Sequence, residues 1–240
     1  MLVALDVPSL GEADSLLGRL DGVLTGCKIG SQLFTATGPA AIETARKRGF
    51  RVFLDLKYHD IPNTVGAAVR EATRLGVFML NIHASGGVAM ARAAAEAATK
   101  AARDFAAPRP RCLGVTVLTS LDRRALQREV GVPTSVEAHV LHLAALAREA
   151  GLDGCVASPQ EVSPLRLAMG ARWVIVTPGI RWEPSGRTSA ERGADDQIRI
   201  ATPRRALAAG ADYLVVGRPI SAAKDPAAAA AAIVADLGGL

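Results

Sequence analysis

Eight short apolar segments, each followed by a stretch with helical periodicity, constrain the fold of this chain more than any other feature. Apolar strands that alternate with helices are typical of a parallel sheet covered by helices. The predicted strands span residues 2–6, 26–29, 52–56, 78–83, 112–118, 154–157, 173–177 and 213–216. The predicted helices lie near residues 10–20, 38–48, 62–75, 87–103, 135–150, 159–169, 203–209 and 226–236.

Residues that begin and end helices agree with this pattern. Thr202-Pro203 and Asp225-Pro226 each place a capping residue before a proline that can occupy the first helical position. Gly49 and Gly151 can end the preceding helices. Eight strand–helix units in 240 residues predict an α/β protein with a single domain over residues 1–240, a (β/α)₈ TIM barrel. The alternative is a doubly wound open sheet, but no glycine-rich nucleotide motif follows the first strand.

Composition excludes several classes of protein. Half of the residues are hydrophobic, which excludes a disordered chain. No segment approaches the ~18 consecutive apolar residues of a membrane span, and the first residues do not resemble a signal peptide. We therefore expect a soluble, cytoplasmic protein that has no contact with membranes. The three cysteines, Cys27, Cys112 and Cys155, are far apart, which indicates free buried thiols.

The charged residues give no sign of nucleic-acid binding. The net charge is +5, but the basic residues are scattered and are not interleaved with aromatic residues. This charge can still attract an anionic small substrate. The histidines give no sign of a metal site, because His139 and His142 lie three residues apart without a third ligand. His83 is expected to have a packing or supporting role.

Charged residues occur where several predicted strands end, and catalytic groups of (β/α)₈ barrels come from this edge. Asp55 and Lys57 are two residues apart, so they share one face of a strand. Asp60 follows in the loop, and Lys28 ends the neighbouring strand. A lysine between carboxylates stays protonated and can act as a general acid in a dry pocket. The alternative is a network of ion pairs with a purely structural role.

Two glycine-containing segments predict a phosphate site on the same edge. Residues 177–181 follow the seventh strand and residues 216–220 follow the eighth, which are the usual phosphate-binding loops of this barrel. Arg218 can add a charge-assisted hydrogen bond. The long polar segment 182–196 is typical of a lid or binding loop.

The segment Asp55-Leu-Lys-Tyr-His-Asp-Ile-Pro-Asn-Thr64 resembles the DxKxxDIPxT signature of the orotidine 5′-phosphate decarboxylase family and matches it completely. Other matching segments occur in family order from one end of the chain to the other. They are residues 4–6, 28–30, 81–84, 115–120, 178–181, 196–197 and 217–220.

This resemblance implies a homodimer of (β/α)₈ barrels that converts orotidine monophosphate to UMP and CO₂ without a metal or an organic cofactor. It also implies that Lys57 protonates C6 of the pyrimidine, and that Asp55 crowds the substrate carboxylate and orients the lysines. Lys28 would complete the charged array and contact the ribose. Asp60 and Thr64 would reach into the site of the partner subunit.

The resemblance further assigns residues that bind substrate. Asp6 would bind a ribose hydroxyl, and Thr119 would lie near the pyrimidine. The phosphate would be held by Gln197, Gly217 and Arg218, with Arg181 at the base of the lid. Ile61 and Pro178 are also expected to contact substrate. Which lid arginine contacts the phosphate stays open between Arg181, Arg187 and Arg192.

Two alternatives to this activity remain. One is a related sugar-phosphate decarboxylase or aldolase that requires a divalent metal; the DIPxT continuation and the ending Gly217-Arg218-Pro219-Ile220 argue against it. The other is a non-catalytic barrel that binds nucleotides. The intact set of charged residues argues against this second alternative, because unpaired buried charge is costly.

Overall fold

A computed structural model describes residues 1–182 and 199–238 of the chain. The described residues form eight parallel strands that pair in chain order and close into a barrel, which confirms the predicted (β/α)₈ architecture. The strands are β1 (Leu2–Ala4), β2 (Gly26–Gly30), β3 (Arg51–Tyr58), β4 (Met79–His83), β5 (Arg111–Val115), β6 (Gly154–Val156), β7 (Val174–Thr177) and β8 (Tyr213–Val216).

Helices surround this barrel, and all eight predicted helical segments are present. The helices are α1 (Leu10–Leu20), α2 (Ser31–Thr37), α3 (Ala40–Lys47), α4 (Pro62–Arg74), α5 (Gly87–Asp104), α6 (Arg123–Arg128), α7 (Val136–Glu149), α8 (Val162–Met169), α9 (Pro203–Ala208), α10 (Arg218–Ser221) and α11 (Pro226–Gly238). Short 3₁₀ turns precede α5 and α8. Three further helices, α2, α6 and α10, were not predicted from the sequence, and they span only 7, 6 and 4 residues.

The hydrophobic core has two layers because strand side chains alternate between the barrel interior and the surrounding helices. The larger layer lies between the strands and the helices. The inner layer fills the barrel with Leu2, Ala4, Phe53, Met79, Leu113, Val176 and Val215. This packed interior leaves room for a ligand only at an end of the barrel.

Two strands end at least two residues earlier than predicted. β1 ends at Ala4, so Asp6 lies beyond the strand. β5 ends at Val115, whereas the predicted strand continued to residue 118. The residues after β5 instead form a loop that borders the cavity described below. No helix of the described segments is both long and apolar enough to cross a membrane.

Candidate active site

A cavity of about 240 Å³ lies at the carboxyl ends of the strands, where the sequence analysis placed the site. Charged side chains line one side of the cavity, and residues from the loops after β5, β7 and β8 line the other. Of the residues predicted to act on substrate, eight line it: Asp6, Lys28, Asp55, Lys57, Thr119, Pro178, Arg181 and Gly217.

The charged side of the cavity is a chain of alternating carboxylates and ammonium groups. Lys57 Nζ lies 2.7 Å from Asp55 Oδ1. Lys28 Nζ lies 3.6 Å from Asp55 Oδ2 and donates a hydrogen bond of 2.7 Å to Asp6 Oδ1. Asp55 therefore stands between two ammonium groups.

The side chains of this series of charged groups are less buried at its two ends, Lys57 and Asp6, than in its middle. The side chains of Lys28 and Asp55 are 11% and 13% exposed, whereas those of Lys57 and Asp6 are 34% and 55% exposed. Coulombic interactions strengthen where water is excluded. The side chains of Lys28 and Asp55 are therefore the more shielded from water, while Lys57 keeps an open face towards the cavity.

An irregularity at the end of β3 brings Lys57 into the site. Leu54 pairs with Leu80 of β4, but the next pair is Tyr58 with Ile82, so β3 contains two more residues than β4 here. Lys57 has a φ of 53°, in the left-handed region that residues other than glycine rarely adopt. The sequence analysis treated this segment as a regular strand. The structure shows instead a bulged strand end that still directs both Asp55 and Lys57 into the cavity.

Asn81 completes the charged array, and the sequence analysis did not assign it a role. Its side chain is fully buried in β4. Asn81 Nδ2 donates a 2.7 Å hydrogen bond to Asp55 Oδ1, and the Lys57 backbone N–H donates a 2.9 Å hydrogen bond to Asn81 Oδ1. The sequence signal for this role is the amide itself, which lies between Leu80 and Ile82. A polar side chain buried in a strand needs hydrogen-bond partners.

The loops after β7 and β8 form the side of the cavity on which the sequence analysis placed phosphate. Pro178 and Gly179 follow β7, and Gly179 has a φ of 78°. Ile180 pairs with Ala201 in an isolated parallel bridge, so the two sides of segment 183–198 are tied together. Gly217 follows β8 and also lines the cavity.

Several predicted site residues do not line the cavity of their own chain. Asp60, Ile61 and Thr64 lie exposed in the loop before α4 and in its first turn. Arg218 is exposed in the short helix α10. Gln197 and the lid arginines Arg187 and Arg192 lie outside the described residues.

His83 lies half-buried beside the charged array. Its ring centroid is 5.1 Å from that of His59. Burial is the main cause that lowers the pKa of His83, and the charges of His59 and Lys57 lower it further, while Asp55 opposes the shift. Within residues 1–182 and 199–238, no cluster of three or more His, Cys, Asp or Glu residues is arranged to hold a metal ion.

A buried ion pair beside the loop after β5 was also not predicted from the sequence. Arg199 Nη1 lies 2.6 Å from Glu161 Oε1, and both side chains are 6% exposed. Arg199 Nη2 also donates to the backbone carbonyls of Val117 and Leu118, at 3.0 and 2.9 Å. This arginine therefore connects the segment after β7 to the loop after β5, which carries Thr119.

Comparison with known proteins places this chain in a family. Residues 1–233 match the family described as "Orotidine 5'-phosphate decarboxylase / HUMPS family". The chain belongs to this family. The chain is 54% identical to the orotidine 5'-phosphate decarboxylase of Moorella thermoacetica, covering 99% of this chain and 91% of that protein. It is 50% identical to the enzyme of the same name from Pseudomonas aeruginosa, covering 99% and 97%.

Solved structures agree with this membership of the orotidine 5′-phosphate decarboxylase family. The orotidine 5'-phosphate decarboxylase of Lactobacillus acidophilus is similar with a TM-score of 0.83 and 34% identity, covering 99% of this chain and 98% of that one. An uncharacterized conserved protein from Geobacillus kaustophilus is similar with a TM-score of 0.81 and 37% identity, covering 98% and 99%. The fold and the resemblance found in residues 55–64 therefore agree.

Proposed function

We propose that this protein decarboxylates orotidine 5′-monophosphate to UMP and CO₂, the last step of de novo pyrimidine nucleotide synthesis, without a metal or an organic cofactor. One observation carries the proposal: Lys57 and Lys28 both contact Asp55 at the charged side of the cavity. Family membership and the names of the relatives support the same activity.

The chemistry requires a cation beside a carbon that becomes negatively charged. The bond between C6 and the carboxylate breaks, its electron pair stays on C6, and CO₂ leaves. A proton then moves from Lys57 Nζ to C6, and solvent returns a proton to the lysine. The ammonium group of Lys57 stabilises the developing charge more than it stabilises the bound substrate, and this difference is what accelerates a reaction.

The neighbouring residues hold this acid in place and strain the substrate. Asp55 fixes Lys57 Nζ through the 2.7 Å contact and places a negative charge near the substrate carboxylate. This repulsion raises the energy of the bound substrate and disappears when CO₂ leaves. Lys28 and Asp6 contact the ribose, and Thr119 lies near the pyrimidine.

The phosphate lies at the opposite side of the cavity in this proposal. Pro178, Gly217 and Arg218 follow β7 and β8, and backbone N–H groups in such loops suit an anion. Arg181 extends from the same segment as Pro178. The phosphate lies far from C6, and its binding energy can lower the barrier at C6 when the site closes around the substrate.

We also propose that the working protein is a homodimer in the cytoplasm. Asp60, Ile61 and Thr64 are exposed near the mouth of the cavity but do not line it. Ile61, a large apolar side chain, is 66% exposed beside them, and contact with a second subunit would remove it from water. In the dimer, these residues reach the site of the partner subunit.

The activity is tested by mixing the purified protein with orotidine monophosphate in EDTA and following the loss of ultraviolet absorbance. We expect decay to UMP. Lys57→Ala should abolish turnover while the protein remains folded. Lys100→Ala, which removes an exposed lysine of α5, is the matched control and should keep full activity.

Two outcomes would contradict the proposal. Turnover by Lys57→Ala at the wild-type rate would show that Lys57 is not the acid that protonates C6. A folded wild-type protein without turnover in EDTA would also contradict it. Activity on sugar phosphates after addition of a divalent metal would then favour the metal-dependent alternative, and UMP binding alone would favour a non-catalytic barrel.

A further inference from the structure

We propose that Asn81 is the positioning residue of the charged array, and that it sets the orientation of the Asp55 carboxylate and the backbone conformation of Lys57. The proposal rests on the proposed decarboxylase function. It is carried by a single buried side chain that bonds to both residues on the opposite strand.

Asn81 helps to orient the Asp55 carboxylate. Asp55 Oδ1 accepts hydrogen bonds from Lys57 Nζ and from Asn81 Nδ2, both at 2.7 Å, while Oδ2 lies 3.6 Å from Lys28 Nζ. Two donors fix the position of one oxygen and thereby direct the other oxygen towards Lys28. An amide can donate here without adding a charge, which no carboxylate or lysine could do.

Asn81 also bonds to the backbone of Lys57. The bulge at the end of β3 moves the Lys57 N–H out of the regular pairing with β4, and a buried N–H without an acceptor is costly. Asn81 Oδ1 accepts this hydrogen bond at 2.9 Å. It therefore stabilises the left-handed conformation of Lys57, which is unfavourable for a residue with a side chain.

Through these two contacts Asn81 bridges Asp55 and Lys57, whose separation sets the position of the proposed acid. Asn81 itself does not line the cavity and, in the proposed reaction, does not touch the substrate. Its loss should displace the acid while leaving the phosphate and ribose contacts in place. Misplacement of a reacting group by an ångström costs about 100-fold in rate, and we expect this loss in kcat with a change in KM below about threefold.

Asn81→Asp is the informative variant because its effect depends on pH. The new carboxylate keeps an acceptor for the Lys57 N–H but faces Asp55 with a like charge, so the two groups compete for one proton. As the pH falls, a protonated carboxyl group donates to Asp55 again, as the amide did. The kcat of the variant relative to wild type should therefore rise from about pH 8 to about pH 5.

The charged and titratable groups that face this position come from three strands. Asp55 and Lys57 lie on β3, and Lys28 of β2 reaches it through Asp55. His83 lies two residues further along β4. From β5, the residue paired with Asn81 is the apolar Leu113.

Controls separate positioning from folding. Gln127→Glu makes the same amide-to-acid change where the amide donates to the Thr134 carbonyl outside the cavity, and its activity relative to wild type should not vary with pH. Thermal unfolding and UMP affinity are measured for each variant at each pH. If Asn81→Asp does not fold, Asn81→Ser is used; its hydroxyl is too short to bridge both partners, so kcat should fall without recovery at low pH.

The outcomes distinguish this proposal from the function on which it rests. A wild-type protein without decarboxylase activity contradicts the proposed function. An active wild type, together with Asn81→Asp or Asn81→Ser at wild-type kcat, overturns the role of Asn81 alone. A loss of kcat in Asn81→Asp that does not recover as the pH falls also overturns it.

Discussion

Arg199 and Glu161 form an ion pair of 2.6 Å beside the loop after β5, with both side chains almost completely buried. Removing two charges from water is costly, and hydrogen bonds offset only part of that cost here, because Arg199 Nε and Glu161 Oε2 are buried without a hydrogen-bond partner among the described residues. Two donors of Arg199 bond to Glu161 and to the carbonyls of Val117 and Leu118. The pair therefore holds the loop after β5 against the segment that follows residue 198.

Glu161→Gln should destabilise the protein, because the guanidinium group of Arg199 would stay buried without a counter-charge. We expect the free energy of unfolding to fall by about 3 kcal/mol, measured by urea denaturation. Glu96→Gln makes the same change at an exposed position of α5 and should stay within about 0.5 kcal/mol of wild type. Equal losses of unfolding free energy in the two variants would show that the buried ion pair contributes no more to stability than an exposed glutamate.

His83 should make stability depend on pH. Burial, followed by the charges of His59 and Lys57, lowers its pKa in the folded protein, so the unfolded chain binds this proton more readily. The free energy of unfolding should therefore fall as the pH drops below about 6.5. His83→Gln should lose less stability than wild type between about pH 7.5 and about pH 5 in urea denaturation. Parallel losses in the two proteins would contradict this contribution.

The fold and most of the charged array could be predicted because their signals are local in sequence. Alternating strands and helices appear within short segments, and Asp55 and Lys57 are two residues apart. Their proximity to Lys28 followed from the rule that parallel strands end at one edge. The structure confirms that all three line one cavity.

The features of the fold and the site that could not be predicted depend mostly on contacts between residues that are far apart in sequence. Glu161 and Arg199 are separated by 38 positions, and nothing in either local pattern indicates that two charged side chains will be buried together. The role of Asn81 depends on the bulge of β3, whose register no periodicity reveals. Helix α2 was missed because it begins directly after β2 without a side-chain cap.

The three cysteines should be unreactive in the folded protein. Cys27, Cys112 and Cys155 are buried, and burial raises the pKa of each thiol to about 12. Because the thiolate is the reactive form, a disulfide reagent at about pH 8 should label them only as fast as the structure opens. Urea should make all three react rapidly. Leu167→Cys places a thiol at an exposed position and is the positive control. Rapid labelling of the native wild type would contradict this prediction.

The position of Asp60 outside the cavity of its own chain leads to the sharpest test of the dimer. Lys57→Ala and Asp60→Asn should each be inactive as homodimers. In a hybrid dimer, one site would combine Lys57 of one subunit with Asp60 of the other and would be intact. Random pairing after joint refolding should therefore restore about a quarter of wild-type activity.

The matched control mixes Lys57→Ala with Asp55→Asn. Asp55 and Lys57 contact each other within one chain, so every site of that hybrid keeps one defect and no activity should return. The assay is the loss of orotidine monophosphate absorbance, with dimer formation checked by analytical ultracentrifugation. If Asp60 served its own chain, the first mixture would stay as inactive as the second, and a fully active Asp60→Asn homodimer would remove Asp60 from the site altogether.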